Sequence, residues 1–132
     1  MKCLVVEDEF ISRTLLTELL SSYGTCHVAT NGLEAVEAFQ NAMEDGQPYD
    51  LICLDIMMPH LNGQEALQRI RALEAESGLS GLDMVKVIMT TALDDSKNIM
   101  QAFTKGNCEA YLTKPLDQHK LLKHLRELQL IV

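Results

Sequence analysis

The sequence is short of basic side chains: 11 Lys and Arg stand against 19 Asp and Glu, for a net charge of −8. That balance argues against a domain that grips nucleic acid by itself, because neutralising phosphates takes lysines and arginines. Long hydrophobic runs are missing too. No apolar stretch approaches the roughly 20 residues that a membrane span requires. The start carries no basic segment leading into an apolar run and a cleavage site, so no secretion signal is expected. Cys3, Cys26, Cys53 and Cys108 include no C-x-x-C pair, and His27, His60, His119 and His124 form no ligand cluster. These absences argue against structural zinc and a disulfide framework, and for buried thiols in a reduced, cytoplasmic protein. A G-x-x-x-x-G-K-[ST] loop is also absent, which removes the nucleotide hydrolases that depend on one.

What is present suits one compact domain over residues 1–132, with 47% hydrophobic residues to build its core. Charge is unevenly spread. Residues 1–96 hold five basic and sixteen acidic side chains, whereas residues 97–132 hold six basic and three acidic ones. Acidic groups therefore gather early and basic groups late.

The hydrophobic pattern switches between short apolar runs and longer amphipathic stretches. Cys3–Val6, Cys26–Ala29, Leu51–Leu54, Val85–Thr91 and Ala110–Thr113 read as strands. Between them, apolar residues recur at helical spacing. Ile11, Leu15, Leu16, Leu19, Leu20 and Tyr23 precede Gly24 as a stop; Val36, Phe39 and Met43 follow Asn31 and Glu34, which resemble a capping box. Ala66, Leu67, Ile70 and Leu73 point inward on the third helix, with Arg69 and Arg71 outward. Ile99, Met100 and Phe103 mark a fourth helix, and Leu121, Leu122, Leu125 and Leu128 a fifth, capped by Asp117. Five β-α units with strands apolar on both faces predict a parallel sheet covered by helices.

In such sheets ligands bind beyond the carboxyl ends of the strands. There the sequence puts Glu7, Asp8 and Glu9 after the first strand and Asp55 after the third. Thr90 and Thr91 stand at the fourth, and Lys114 follows the fifth. Carboxylates gathered without a counterion repel and raise one another's pKa, and a hard divalent cation relieves this. The Lys114 ammonium is a compact partner for phosphate. Carboxylate, cation, lysine and hydroxyl are the parts needed to move a phosphoryl group onto a carboxylate oxygen. Taken singly, the acids read as helix caps and Lys114-Pro115 as a solvated turn; their joint placement favours the chemistry.

V-V-E-D-E (5–9), L-D-I-M-M-P (54–59), N-G (62–63), T-A (91–92) and K-P (114–115) resemble the signatures of the receiver domain of two-component response regulators. The resemblance covers essentially the whole chain. It implies a CheY-like, flavodoxin-like (βα)5 doubly wound α/β fold, with a five-stranded parallel sheet in the order 2-1-3-4-5. It further implies that Asp55 is the phosphoacceptor and that Asp8, Asp55 and the main-chain carbonyl of Met57 ligate Mg²⁺ or Mn²⁺, with Glu7 acting through a bound water. Thr91 and Lys114 then assist transfer, and Thr91 with Tyr111 forms the switch. Met57 and Leu93 occupy positions often polar in relatives, which bears on the phosphoryl lifetime.

The implied donors are a sensor histidine kinase or a histidine phosphotransfer protein. The implied output is a downstream protein met by the face of the fourth helix, fifth strand and fifth helix. Lys97, Lys105, Lys120, Lys123 and Arg126 would edge that face, in a monomer or a phosphorylation-dependent dimer. Neither nucleic acid nor membrane is an expected direct partner. The domain is expected to be no turnover enzyme, but to catalyse its own phosphorylation and lose the group slowly. A single-domain regulator is expected, since no linker follows Leu130-Ile131-Val132. Among other readings, an aspartate-nucleophile phosphatase wants an Asp two residues after Asp55, where Met57 stands. Flavin binding would set carboxylates against the flavin phosphate. A non-phosphorylated, receiver-like binding module would not need the complete set of site residues.

Overall fold

The computed structural model describes residues 1–58, 60–92 and 108–132. Along them run β1 (Lys2–Val6), α1 (Phe10–Ser21), β2 (Thr25–Ala29), α2 (Gly32–Glu44), β3 (Leu51–Asp55) and α3 (Gly63–Glu76). A short 3-10 turn (Gly81–Asp83), β4 (Lys86–Thr91), β5 (Ala110–Thr113) and α4 (Gln118–Glu127) complete the series. The helix expected around Ile99, Met100 and Phe103, like Leu93, Lys97 and Lys105, lies outside the described residues. All four strand pairings are parallel, in the expected order 2-1-3-4-5.

Alternation along the strands builds two apolar layers. Leu4, Val6, Ile52, Leu54, Val87 and Met89 face one layer, closed by Phe39 of α2 and Leu67 and Ile70 of α3. Cys3, Val5, Leu51, Cys53, Ile88 and Leu112 face the other, closed by Leu16 and Leu20 of α1 and Leu121 and Leu125 of α4. Fully burying side chains of this size stabilises the fold by roughly 1.5–3 kcal/mol each before entropy is counted. Strand β2 lies at the edge, and its Thr25, His27 and Val28 are exposed.

Local chemistry sets the helix ends. The Asn31 side chain accepts from Glu34 N at 2.9 Å, but Glu34 Oε1 turns to Thr30 N and Oγ1 at 2.8 and 2.9 Å. The full reciprocal box belongs to Asn62 and Glu65 at the start of α3. Asp117 Oδ1 accepts from His119 N and Lys120 N, as its predicted cap role requires. Gly46 (φ 70°) and Gly78 (φ 76°) follow α2 and α3 in the left-handed conformation that ends helices.

One expectation needs refining and one correcting. Ile11 and Leu15, which recur at helical spacing with Leu16 and Leu20 on the first helix, are 65% and 51% exposed, beside Phe10 at 69%. The stripe is wider than the sheet can cover, and Leu16 and Leu20 alone are fully buried on this helix. Arg71, expected to point outward, folds beneath α3, where Nη1 meets Glu74 Oε1 and the Val85 carbonyl, each at 2.8 Å. Its Nη2 reaches Glu109 Oε2 at 3.3 Å. A buried carboxylate at Glu74 needs a cation, and Arg71, three residues away on the same helix, is within reach.

Candidate phosphoacceptor site

Strands β1, β3 and β5 deliver acid, acid and lysine to one edge of the sheet. Glu7 follows β1 and is fully buried, and its N donates to the Ala29 carbonyl at 3.1 Å. Asp55 closes β3 at 3% exposure, with Oδ1 accepting from Met57 N at 3.2 Å. Asp8 is exposed at the mouth. One carboxylate oxygen from each of Glu7, Asp8 and Asp55 lies within 4.8 Å of the others.

Lys114 follows β5, and its Nζ reaches Asp55 Oδ2 at 3.4 Å and Glu7 Oε1 at 3.1 Å. Glu7 Oε2 is 2.9 Å from the same ammonium yet lacks hydrogen-bond alignment, so among the described residues that buried oxygen has no hydrogen bond. The imbalance shows in the acid–base behaviour. Burial, then the charge of Glu7, pushes the Asp55 carboxyl up to about 7. Burial works against the Lys114 ammonium, but Glu7 and Asp55 together hold it above its usual range. Clustered hard oxygens, one of them unsatisfied and buried, fit a hard divalent cation such as Mg²⁺.

Main-chain geometry holds the acids in place. A Cβ on Gly63 would run into the Asp55 carbonyl oxygen, and Gly63 N donates to the Ile56 carbonyl at 2.9 Å. This explains the N-G pair at 62–63: Asn caps the helix, and Gly lets its first turn rest on the backbone of Asp55. Ile56 N donates to the Thr90 carbonyl, and Lys114 N to the Thr91 carbonyl at 2.7 Å, stitching β3 and β5 to β4. Thr91 is buried at the end of β4, and its hydroxyl donates to the Ala92 carbonyl at 3.4 Å. Thr90 is buried as well, and its Oγ1 has no hydrogen-bond partner among the described residues. Tyr111, in β5, is 40% exposed, and the Met57 side chain lies largely in solvent.

The structure thus gathers Glu7, Asp8, Asp55 and Lys114 and sets Thr91 beside the lysine in the chain's pairing. Sequence reasoning missed Arg13, whose Nη1 donates to the carbonyls of Glu7 and Asp8 at 3.0 and 3.4 Å. Its place one turn into the helix behind the acidic run was the available signal.

The family model described as the response regulator receiver domain matches residues 3–126. The chain belongs to the response regulator receiver family. Two-component response regulator 24 of Arabidopsis thaliana is 33% identical, across the whole chain and 86% of that relative. The peroxide stress-activated histidine kinase mak2 of Schizosaccharomyces pombe is 38% identical across 97% of the chain, which spans only 5% of the kinase. Receiver domains thus resemble this chain both in small regulators and as small parts of large kinases. Among solved structures is the Saccharomyces cerevisiae complex of the histidine phosphotransfer signalling protein Ypd1 with the receiver domain of Ssk1. A chain of it superimposes with a TM-score of 0.81 at 31% identity, covering all of this chain and 92% of its own length. Among the described residues no helix is long and apolar enough to cross a membrane.

Proposed function

We propose that this receiver is a phosphorylation-operated switch in which Asp55 takes a phosphoryl group from a phosphohistidine. The donor would be a sensor histidine kinase or a histidine phosphotransfer protein. The observation that carries this reading is the buried Asp55 carboxylate, set against the Lys114 ammonium and clustered with Glu7 and Asp8. In the transfer the phosphorus–nitrogen bond breaks, its electron pair stays on the imidazole, and an Asp55 carboxylate oxygen bonds to phosphorus.

Asp8, Asp55 and the Met57 carbonyl would hold Mg²⁺ or Mn²⁺, with Glu7 reached through water; when bound, the ion offsets carboxylate and phosphoryl charge. Lys114 supplies a fixed positive charge that moves from carboxylates to phosphate. Burial of Asp55 keeps bulk water from the acyl phosphate, in keeping with slow loss of the group. The added charge of about −1.5 to −2 attracts Lys114 and captures the Thr91 hydroxyl. Thr91 then frees room for Tyr111, biasing a two-state equilibrium toward an output-competent surface. Such a domain does no turnover on a substrate of its own.

The exposed apolar end of α1, Phe10, Ile11 and Leu15, adjoins Asp8 and offers the phosphodonor a place to dock. Output falls to the face around Tyr111 and α4, met by a downstream protein or a second copy, in the cytoplasm. The test is intact mass after exposure to acetyl phosphate and Mg²⁺. One phosphoryl group should be gained by the parent and none in EDTA or in Asp55→Asn. Equal uptake by the Asn variant overturns the assignment.

A further inference from the structure

Away from the phosphoacceptor, Cys3 of β1 and Cys26 of β2 are direct partners in the parallel ladder. Their sulfur atoms stand 2.8 Å apart. We propose that Cys3 and Cys26 are a redox-modification site, forming a reversible disulfide that fastens edge strand β2 to β1.

Geometry is the first support. A disulfide needs an S–S separation of about 2.05 Å, so closing the bond moves the sulfurs together by less than an ångström. Neighbouring strands lie about 4.8 Å apart, within the Cα separation that disulfides span. A shared soft metal ion would require the opposite movement. Two sulfurs each about 2.3 Å from one tetrahedral ion would stand well beyond the observed separation.

Access is the second support. Cys3 is fully buried, whereas Cys26 is half-buried on the exposed edge strand, between solvent-facing Thr25 and His27. Burial, then the hydrogen bond with Cys26, pushes the Cys3 thiol far above its ordinary value, so it is not the thiol that first meets an oxidant. Cys53 and Cys108 are buried free thiols, pushed up to about 12 and about 11 by burial. Cys26 is the point of entry.

The oxidant class is a small-molecule disulfide such as oxidised glutathione. Cys26 thiolate attacks one sulfur of the glutathione disulfide, forming a mixed disulfide and releasing one glutathione thiolate, which takes up the proton that Cys26 lost. Cys3 then attacks Cys26 Sγ and loses its own proton to the second departing glutathione. Two protein thiols are oxidised, one glutathione disulfide is reduced to two thiols, and no other reactant is needed. The closed loop runs from Cys3 to Cys26 and contains α1 and the acidic turn, so the bond restricts the unfolded chain and ties down an open sheet edge. Cys3 lies near the start of β1 and Glu7 beyond its other end, which leaves the phosphoacceptor geometry untouched.

The experiment equilibrates the folded protein in glutathione buffers from reducing to oxidising, blocks free thiols, and reads intact mass, linked peptides and melting temperature. Expected is loss of two hydrogen atoms, a peptide joining Cys3 to Cys26, a higher melting temperature, and unchanged phosphoryl uptake from acetyl phosphate. Cys3→Ser should stop at a glutathione adduct on Cys26, and Cys26→Ser should remain unmodified at Cys3. A lasting adduct on Cys26 in the parent, a link through Cys53 or Cys108, or no mass change in oxidising buffer overturns the proposal. The decisive readings come from the parent protein and stand whether or not a variant folds.

Discussion

At the amino ends of β4 and β5, the buried Glu74 carboxylate has a partner for each oxygen. Arg71 Nη1 donates to Oε1 at 2.8 Å and Val85 N to Oε2 at 2.7 Å, while Glu109 Oε2 takes Val87 N at 2.6 Å. At the carboxyl ends of the same sheet, Glu7 and Asp55 share the ammonium of Lys114, and a buried Glu7 oxygen is left without a hydrogen bond. Both clusters bury acids against a cation. One is saturated and ties α3 to two strands; the other leaves a buried carboxylate oxygen without a hydrogen bond. A saturated cluster stabilises a single structure, whereas an unsaturated one keeps its stabilisation available to a ligand.

The sharpest way to break that contrast is to empty the saturated end. Glu74→Ala leaves Val85 N unpaired and removes one of the two acids around Arg71. It should cost on the order of 3–5 kcal/mol, read by chemical denaturation, while the remaining folded protein still takes up phosphate. A loss near zero would mean that the two ends do not differ.

The reverse experiment at the other end should have the opposite sign and a smaller size. The Asp55 carboxyl rises from its ordinary value of 3.8 to about 7, through burial first and Glu7 second. The folded state therefore holds this proton more tightly than the unfolded state does. Its contribution is fully present below pH 3.8 and is lost as pH rises toward about 7. In metal-free buffer, Asp55→Asn should gain roughly 1–3 kcal/mol over the parent at pH 8 and much less at pH 4. Mg²⁺ should narrow the gap by stabilising the parent more than the variant. Equal stability of the two proteins at pH 8, without metal, contradicts an undercompensated site.

The smallest effect on stability belongs to the surface. Tyr111→Ala, or Lys120→Glu with Lys123→Glu, should shift stability by less than about 1 kcal/mol, since these residues are exposed. The same changes should weaken capture of the phosphorylated domain's partner, and for the two lysine reversals more at low salt than at high salt. Unchanged affinity at both salt concentrations moves the output surface elsewhere.

Much of this was legible in the chain because it depends on neighbours in sequence. Apolar runs such as Leu51–Leu54 predict strands, and the acids, Thr91 and Lys114 at the strand ends follow once a parallel sheet is assumed. Periodicity could not reveal how wide a stripe the sheet would cover, so it did not separate exposed Ile11 and Leu15 from buried Leu16 and Leu20. Nor could it foresee that Arg71 would meet Glu109, thirty-eight residues on, because that contact depends on the register of α3 over β4. The reciprocal box at Asn62 was as visible as the one read at Asn31. Which acid turns back to its own cap is decided by competing donors such as Thr30.

The bare backbone contacts of the two helix-starting glycines bear on how this fold tolerates change. Gly63 rests on the Asp55 carbonyl, and Gly32 rests in the same manner on the Leu61 carbonyl. The nearest atom in each gap is a main-chain carbonyl oxygen, so the spacing from β3 through the Asp55 loop to α3 and α2 is set chiefly by backbone. The same spacing leaves no room for even one added methyl group at these two points. A substitution at either glycine would have to push backbone aside, not a side-chain end that can rotate away.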